Sequence, residues 1–191
     1  VVLIIAVVLL TLCGISIQKC RSPVDNTHPA HLEGALEVVK WTQAHVTSYG
    51  GDPNSIFLMG HSSGAHLATL AAHAVHASVR GVIGISGVYS DKLCARHPFL
   101  SLIRLRLFLG QASAFPVNRV SHVSPPHLLI NAASDLGLER HAYEYSRVLA
   151  DYAVECLHTV VPYTNHFSVR RYWDSWNRQI PLVIRQFVLD H

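Results

Sequence analysis

Gly60-His61-Ser62-Ser63-Gly64 is the segment whose residue types and spacing most plainly suggest chemistry. Ser62 has glycine at both minus two and plus two, and Ser63 does not. A serine held on a sharp strand-to-helix turn exposes its Oγ as a nucleophile. The flanks fit that setting. Ser55 to Met59 is short, apolar and bounded by turn residues, as a core strand would be. Ala65 to His76 is alanine-rich and reads as a helix that starts at once. Glycines at positions 60 and 64 would let strand and helix approach around a strained serine. The helix start beyond Ser62 favours negative charge there, and the Ser63 N–H is placed to face an oxyanion. A glycine- and serine-rich loop capping an ordinary helix would match the pattern but not the setting.

A serine hydroxyl is a poor nucleophile without a base, and the base must be held by a third group. Strand, elbow and helix together are the signature of α/β-hydrolases, where the chain order is Ser, then Asp or Glu, then His. Asp135 fits the acid, because it lies just past an apolar strand ending Ile130-Asn131-Ala132. Glu139 competes, but an acid four residues later belongs to the first turn of the next helix. Asp151 falls inside a helix, and Asp174 lies out of order. His166 fits the base. It sits in Thr164-Asn165-His166-Phe167, after the strand Val154 to Val161 and before the last helix. His158 is within that strand, His141 is on the helix after Asp135, and His191 ends the sequence.

The rest of the chain must position these groups. At 191 residues, with 50% apolar and 14% charged residues, one domain with a buried core is expected. A net charge of +3 with no run of Lys or Arg argues against a nucleic-acid partner. Arg104 and Arg106, spaced within an apolar stretch, read as one wetted helix face. Cys13, Cys20, Cys94 and Cys156 show no metal spacing, and disulfide pairing stays open; acyl transfer through Ser62, Asp135 and His166 requires neither a metal nor an organic cofactor. Most of the 14 histidines are expected at surface or cap positions.

Strands alternate with helices along the sequence. A helix over Leu32 to Tyr49 precedes the elbow. Strands follow at Val79 to Ser86, His127 to Ala132 and Val154 to Val161, with helices at Leu138 to Ala153 and Val169 to Leu189, the latter interrupted near Pro181. That order predicts an α/β fold, a mostly parallel sheet with helices on both faces. Gly87 to Pro126 is expected to be irregular, with Pro98, Pro116, Pro125 and Pro126 around an apolar middle, and residues 88–124 within it are a candidate cap segment. Residues 1–17 are uncharged and apolar. They read either as a membrane anchor at the short edge of a spanning length, or as a buried helix, a break at Cys13-Gly14 and a strand from Ile15 to Lys19. The helix-strand-loop order that follows favours the second. Localisation stays open between cytoplasm and membrane, and oligomeric state is not legible.

Tyr49-Gly50-Gly51-Asp52-Pro53 through Gly60-His61-Ser62-Ser63-Gly64-Ala65-His66-Leu67-Ala68 resembles the GGDP…GHSAGAHLA stretch of the carboxylesterase/lipase-like α/β-hydrolases. Within these it is similar to the feruloyl-esterase-like and kynurenine-formamidase-like group, and isoprenylcysteine methylesterases look similar there too. The likeness extends back to Cys20-Arg21-Ser22-Pro23 and His28-Pro29-Ala30. It extends forward through Ser86-Gly87-Val88-Tyr89 and Thr164-Asn165-His166-Phe167.

The resemblance implies a serine hydrolase that cleaves a small carboxylic ester or aryl formamide through Ser62, His166 and Asp135 and an acyl-enzyme. Two departures stand out. The family's Tyr-Arg-Leu pattern is reduced to Cys20-Arg21. The His-Gly-Gly segment that donates the other oxyanion N–H is not among these residues. Residues 1–191 are therefore expected to be the C-terminal portion of a single α/β-hydrolase domain that lacks the N-terminal strands. On its own that portion is expected to be poorly active and poorly soluble. The alternative is a catalytically impaired hydrolase-like protein, anchored through residues 1–17, that acts as a binding module.

Overall fold

The computed structural model of the protein describes residues 28–75, 78–96, 111–169 and 179–191. The expectations for residues 1–17 lie outside them. Helix α1 runs Ala30–His45 and tightens into a 3-10 turn, Val46–Tyr49. Gly50 closes that turn at φ 78°, a left-handed conformation that suits glycine. Strand β1 (Phe57–His61) leads into α2 (Ser63–Val75), and β2 (Gly81–Ile85) into a short α3 (Asp91–Arg96). Two 3-10 turns, Ala112–Ala114 and Pro116–Asn118, precede β3 (His127–Ser134). Helix α4 (Leu138–Asp151), strand β4 (Cys156–Asn165) and helix α5 (Gln179–Asp190) complete the order.

The four strands form one parallel sheet in the order β1-β2-β3-β4. Strands β1 and β2 are buried along their whole length, so their sequences show continuous apolar runs and not alternation. Alternate residues nevertheless face different layers. Phe57, Met59, Ile83, Leu128 and Ile130 pack with Ile180, Ile184 and Phe187 of α5. Leu58 and Val82 pack with Ala35 and Val39 of α1 and Leu67, Ala68 and Ala71 of α2. Leu129 packs with Ala142, Tyr145 and Leu149 of α4 and with Tyr89 and Val120. Helices thus cover both faces of a parallel sheet, as expected.

Several boundaries move. The first strand runs through His61, because Gly60 and His61 pair with Gly84 and Ile85 and so are not part of the turn. Strand β4 continues through Asn165, where a register shift lets Asn165 pair with Ser134. Of the helix expected over Val169 to Leu189, residues 170–178 lie outside the described ones, and Pro181 falls inside the described part. It lies in the first turn of α5, where its missing N–H costs nothing. In the stretch Gly87 to Pro126, expected to be irregular, the described residues hold α3 and both 3-10 turns, while 97–110 lie outside them.

The histidines correct the surface expectation most clearly. His28, His61, His66, His73, His127, His141 and His166 are all buried. Hydrogen bonds make this tolerable for neutral rings. Between the sheet, α2 and α4, His73 and His127 belong to a directed chain. The Ser124 hydroxyl donates to His73 Nδ1 (3.0 Å), and His73 Nε2–H donates to the Tyr145 hydroxyl (2.5 Å). Tyr145 donates to His127 Nε2 (3.0 Å), and His127 Nδ1–H ends the chain on the Pro125 carbonyl (2.7 Å). His66 donates from Nδ1 to the Val88 carbonyl at 2.7 Å, tying α2 to the segment after β2.

Burial, above all, holds His66 and His127 at pKa values of about 3, against 6.5 when unfolded. Between those values the unfolded chain binds protons that the native chain does not. Stability is therefore full above pH 6.5 and declines as the pH falls, by about 1.4 kcal/mol per pH unit for each ring. The melting temperature is expected to hold from pH 7.5 to about 6.5 and then to drop steadily to pH 5 in thermal denaturation followed by circular dichroism. A flat profile would contradict this account.

Candidate active site

The elbow is built from backbone geometry. Ser62 has φ 56°, left-handed for a residue with a side chain, which is a strained conformation. Its N–H donates to the Ile85 carbonyl at 2.8 Å, and its carbonyl accepts from His66 N at 3.2 Å. The turn is thus fixed to β2 on one side and to the first turn of α2 on the other. Gly60 is required where it stands. A Cβ there would run into the Gly64 backbone and sit 2.6 Å from Ala65 N. Backbone cannot swing aside, so Gly60→Ala must open the elbow. We expect a loss of about 1–3 kcal/mol in stability and of ~10²-fold or more in any Ser62-dependent turnover. A Gly60→Ala protein with unchanged melting temperature and turnover would refute this.

Strands β3 and β4 bring the other two groups together. Ser134 pairs with Asn165 at the ends of the two strands, and the residues that follow are Asp135 and His166, the expected acid and base. The His166 N–H donates to the Ser134 carbonyl at 3.2 Å. His166 Nδ1 then lies 2.8 Å from Asp135 Oδ1, and its Nε2 lies 3.1 Å from Ser62 Oγ. Asp135 is 2% exposed, His166 4% and Ser62 8%, so water screens the chain of contacts little. Since a carboxylate only accepts, Nδ1 carries the imidazole hydrogen and Nε2 is left to accept from Ser62.

The second Asp135 oxygen is also occupied. Oδ2 accepts from Asn131 Nδ2 (2.7 Å) and from Ala132 N (3.1 Å). Asn131 Oδ1 in turn accepts from His158 Nε2 at 3.1 Å. Asn131 and His158 are the polar partners whose role behind Asp135 the sequence reading missed. The available signal was a lone amide in the apolar strand His127-Leu-Leu-Ile-Asn131, four residues before the acid. Glu139, the competing acid, falls in the first turn of α4, and His141 accepts from the backbone N–H groups of Tyr89 and Ser90.

Ser63 opens α2, a 13-residue helix. Its N–H is therefore among those that an α-helix leaves without an internal partner. The helix dipole adds partial positive charge beside Ser62. His61 ends β1 and contacts His166. Ser62 Oγ, His166 and Asp135 thus lie in hydrogen-bond series with N–H donors at a helix start, an arrangement that can serve general-base activation of a hydroxyl. Among the described residues no cluster of three or more His, Cys, Asp or Glu side chains is placed to hold a metal ion.

Comparison with known proteins agrees with this architecture. Residues 15–86 match the BD-FAE family model, a span that includes the elbow. The chain is similar to a probable carboxylic ester hydrolase, LipM, of Mycobacterium tuberculosis, with 28% identity over 144 residues. That match spans 63% of this chain and 33% of LipM. It is also similar to the esterase LipQ of the same organism, with 43% identity over 58 residues, covering 30% of this chain and 14% of LipQ. The matched stretches thus span a third or less of these curated relatives. Among solved structures, a truncated carbohydrate esterase from gut microbiota superposes with a TM-score of 0.71 at 16% identity, covering 88% of this chain and 72% of that one. The described residues have the α/β-hydrolase fold, and the chain's likeness is to esterases of that fold.

Proposed function

We propose that the chain carries the catalytic centre of a serine hydrolase that cleaves a small carboxylic ester through an acyl-enzyme. One observation carries the reading: Ser62 Oγ, His166 and Asp135 stand in series at 3.1 and 2.8 Å, in the chain order of the α/β-hydrolases. The names of the esterase relatives agree with the substrate class.

In this mechanism Ser62 Oγ attacks the ester carbonyl as His166 Nε2 takes its proton. Asp135 holds the Nδ1–H tautomer and stabilises the imidazolium. The oxyanion accepts from the Ser63 N–H at the start of α2. His166 then protonates the departing alcohol, and water, activated by the same imidazole, cleaves the acyl-enzyme and frees Ser62. No step needs a metal or an organic cofactor. The same groups would cleave an aryl formamide, whose leaving group is an amine. We place the ester first, because the named relatives are esterases.

A fluorophosphonate probe tests the reading. The full-length protein is expected to take one covalent label at Ser62 and to hydrolyse p-nitrophenyl acetate. A protein that folds, binds no probe and releases no nitrophenol would favour a non-catalytic, hydrolase-like binding module.

A further inference from the structure

The base is tied to the nucleophile by a second link besides the reacting hydrogen bond. His61 Nε2 lies 2.8 Å from the backbone carbonyl of His166, 105 positions away in sequence. A carbonyl only accepts, so Nε2 carries the hydrogen and His61 donates. The two imidazoles also lie against each other, with centroids 4.8 Å apart and planes at 40°. His61 is 6% exposed and is the last residue of β1, next to Ser62 in the chain.

His166 is therefore gripped from two sides. Its N–H is held by Ser134 of β3, beside the acid. Its carbonyl is held by His61 of β1, beside the nucleophile. Removing the first grip would loosen the base from Asp135. Removing the second would leave the Asp135 pair intact and loosen the base from Ser62.

We propose that His61 is a positioning residue for the general base, setting the His166–Ser62 distance through its Nε2–H on the His166 carbonyl. This rests on the hydrolase reading above. The bland alternative is a buried histidine that merely fills space at the end of a strand. The two differ in what a substitution must preserve. A filler needs volume. A positioning residue needs a donor at the reach of Nε2. Glutamine places its amide nitrogen the same number of bonds from Cβ as Nε2. Asparagine places its own only as far as Nδ1.

The test uses the full-length protein with His61→Gln, His61→Asn and a Ser62→Ala control. The readouts are kcat and KM for p-nitrophenyl acetate, the rate of fluorophosphonate labelling, and the melting temperature. His61→Gln is expected to stay within about fivefold of wild type in kcat, while His61→Asn loses ~10–100-fold in kcat and in labelling rate, as loss of alignment at a reacting pair does. KM is expected to stay within about twofold in both, because the link touches no substrate. Should His61→Asn fail to fold, His61→Met, which keeps the length and drops the donor, takes its place with the same expectation. Equal kcat in the Gln variant and the donor-deficient one, or losses that track the folded fraction alone, would overturn the inference and leave the hydrolase reading standing. A folded wild type that takes no Ser62-dependent label would overturn the hydrolase reading itself.

Discussion

Ser62→Ala is expected to lower kcat for p-nitrophenyl acetate by on the order of 10⁶, the scale seen when a hydrolase loses its serine nucleophile. Fluorophosphonate labelling should vanish with it. The fold should survive, because only Oγ is lost and its partner His166 keeps the bond to Asp135. A companion variant separates chemistry from strain. Ser62 sits at φ 56°, a region that costs a residue bearing a Cβ about 1–2 kcal/mol. Ser62→Gly should be as inactive as Ser62→Ala yet more stable than it by about 1 kcal/mol. Calorimetry of the two side by side decides this. Residual Ser62→Ala turnover near the wild-type rate would sink the assignment of the nucleophile.

The second large effect is expected at the acid, where Asp135→Asn should lower kcat by about 10⁴. The local hydrogen bonds explain why so conservative a change does so much. Oδ2 of Asp135 receives two donors, Asn131 Nδ2 and Ala132 N. An asparagine must turn its carbonyl oxygen toward them, since its amide group would meet donor with donor. Its NH2 then points at His166 Nδ1. That nitrogen must become an acceptor, so the hydrogen moves to Nε2, where it opposes the Ser62 hydroxyl. The base is held in the tautomer that cannot take the proton. Thermal melting should change little while kcat collapses. If Asp135→Asn kept its kcat, the acid would have to lie elsewhere.

Part of this site was legible in the sequence because its determinants are local. The elbow needs Gly60 and Gly64 within a few residues of Ser62. Asp135 and His166 each follow a strand that an apolar run announces. What stayed hidden depends on distant partners. His61 read as part of a turn because nothing near it in sequence shows that it pairs with Ile85 or reaches the His166 carbonyl. Asn131 read as an ordinary strand residue, since its value lies in the carboxylate that β3 later folds beside it. The buried histidines were misplaced for the same reason. His73 is acceptable inside only because Ser124 and Tyr145, 51 and 72 positions on, satisfy both its nitrogens.

The pairing of Ser134 with Asn165 has a wider consequence. The acid and the base are separated by 31 positions, yet their spacing is set by a sheet register and not by the chain that joins them. The intervening helix and loops act as a tether and not as a ruler. The loops can change in length, and the outer face of the helix in character, without altering the spacing of Asp135 and His166. The spacing is thereby insulated from the surface loops, the part of a fold that best tolerates insertion and deletion.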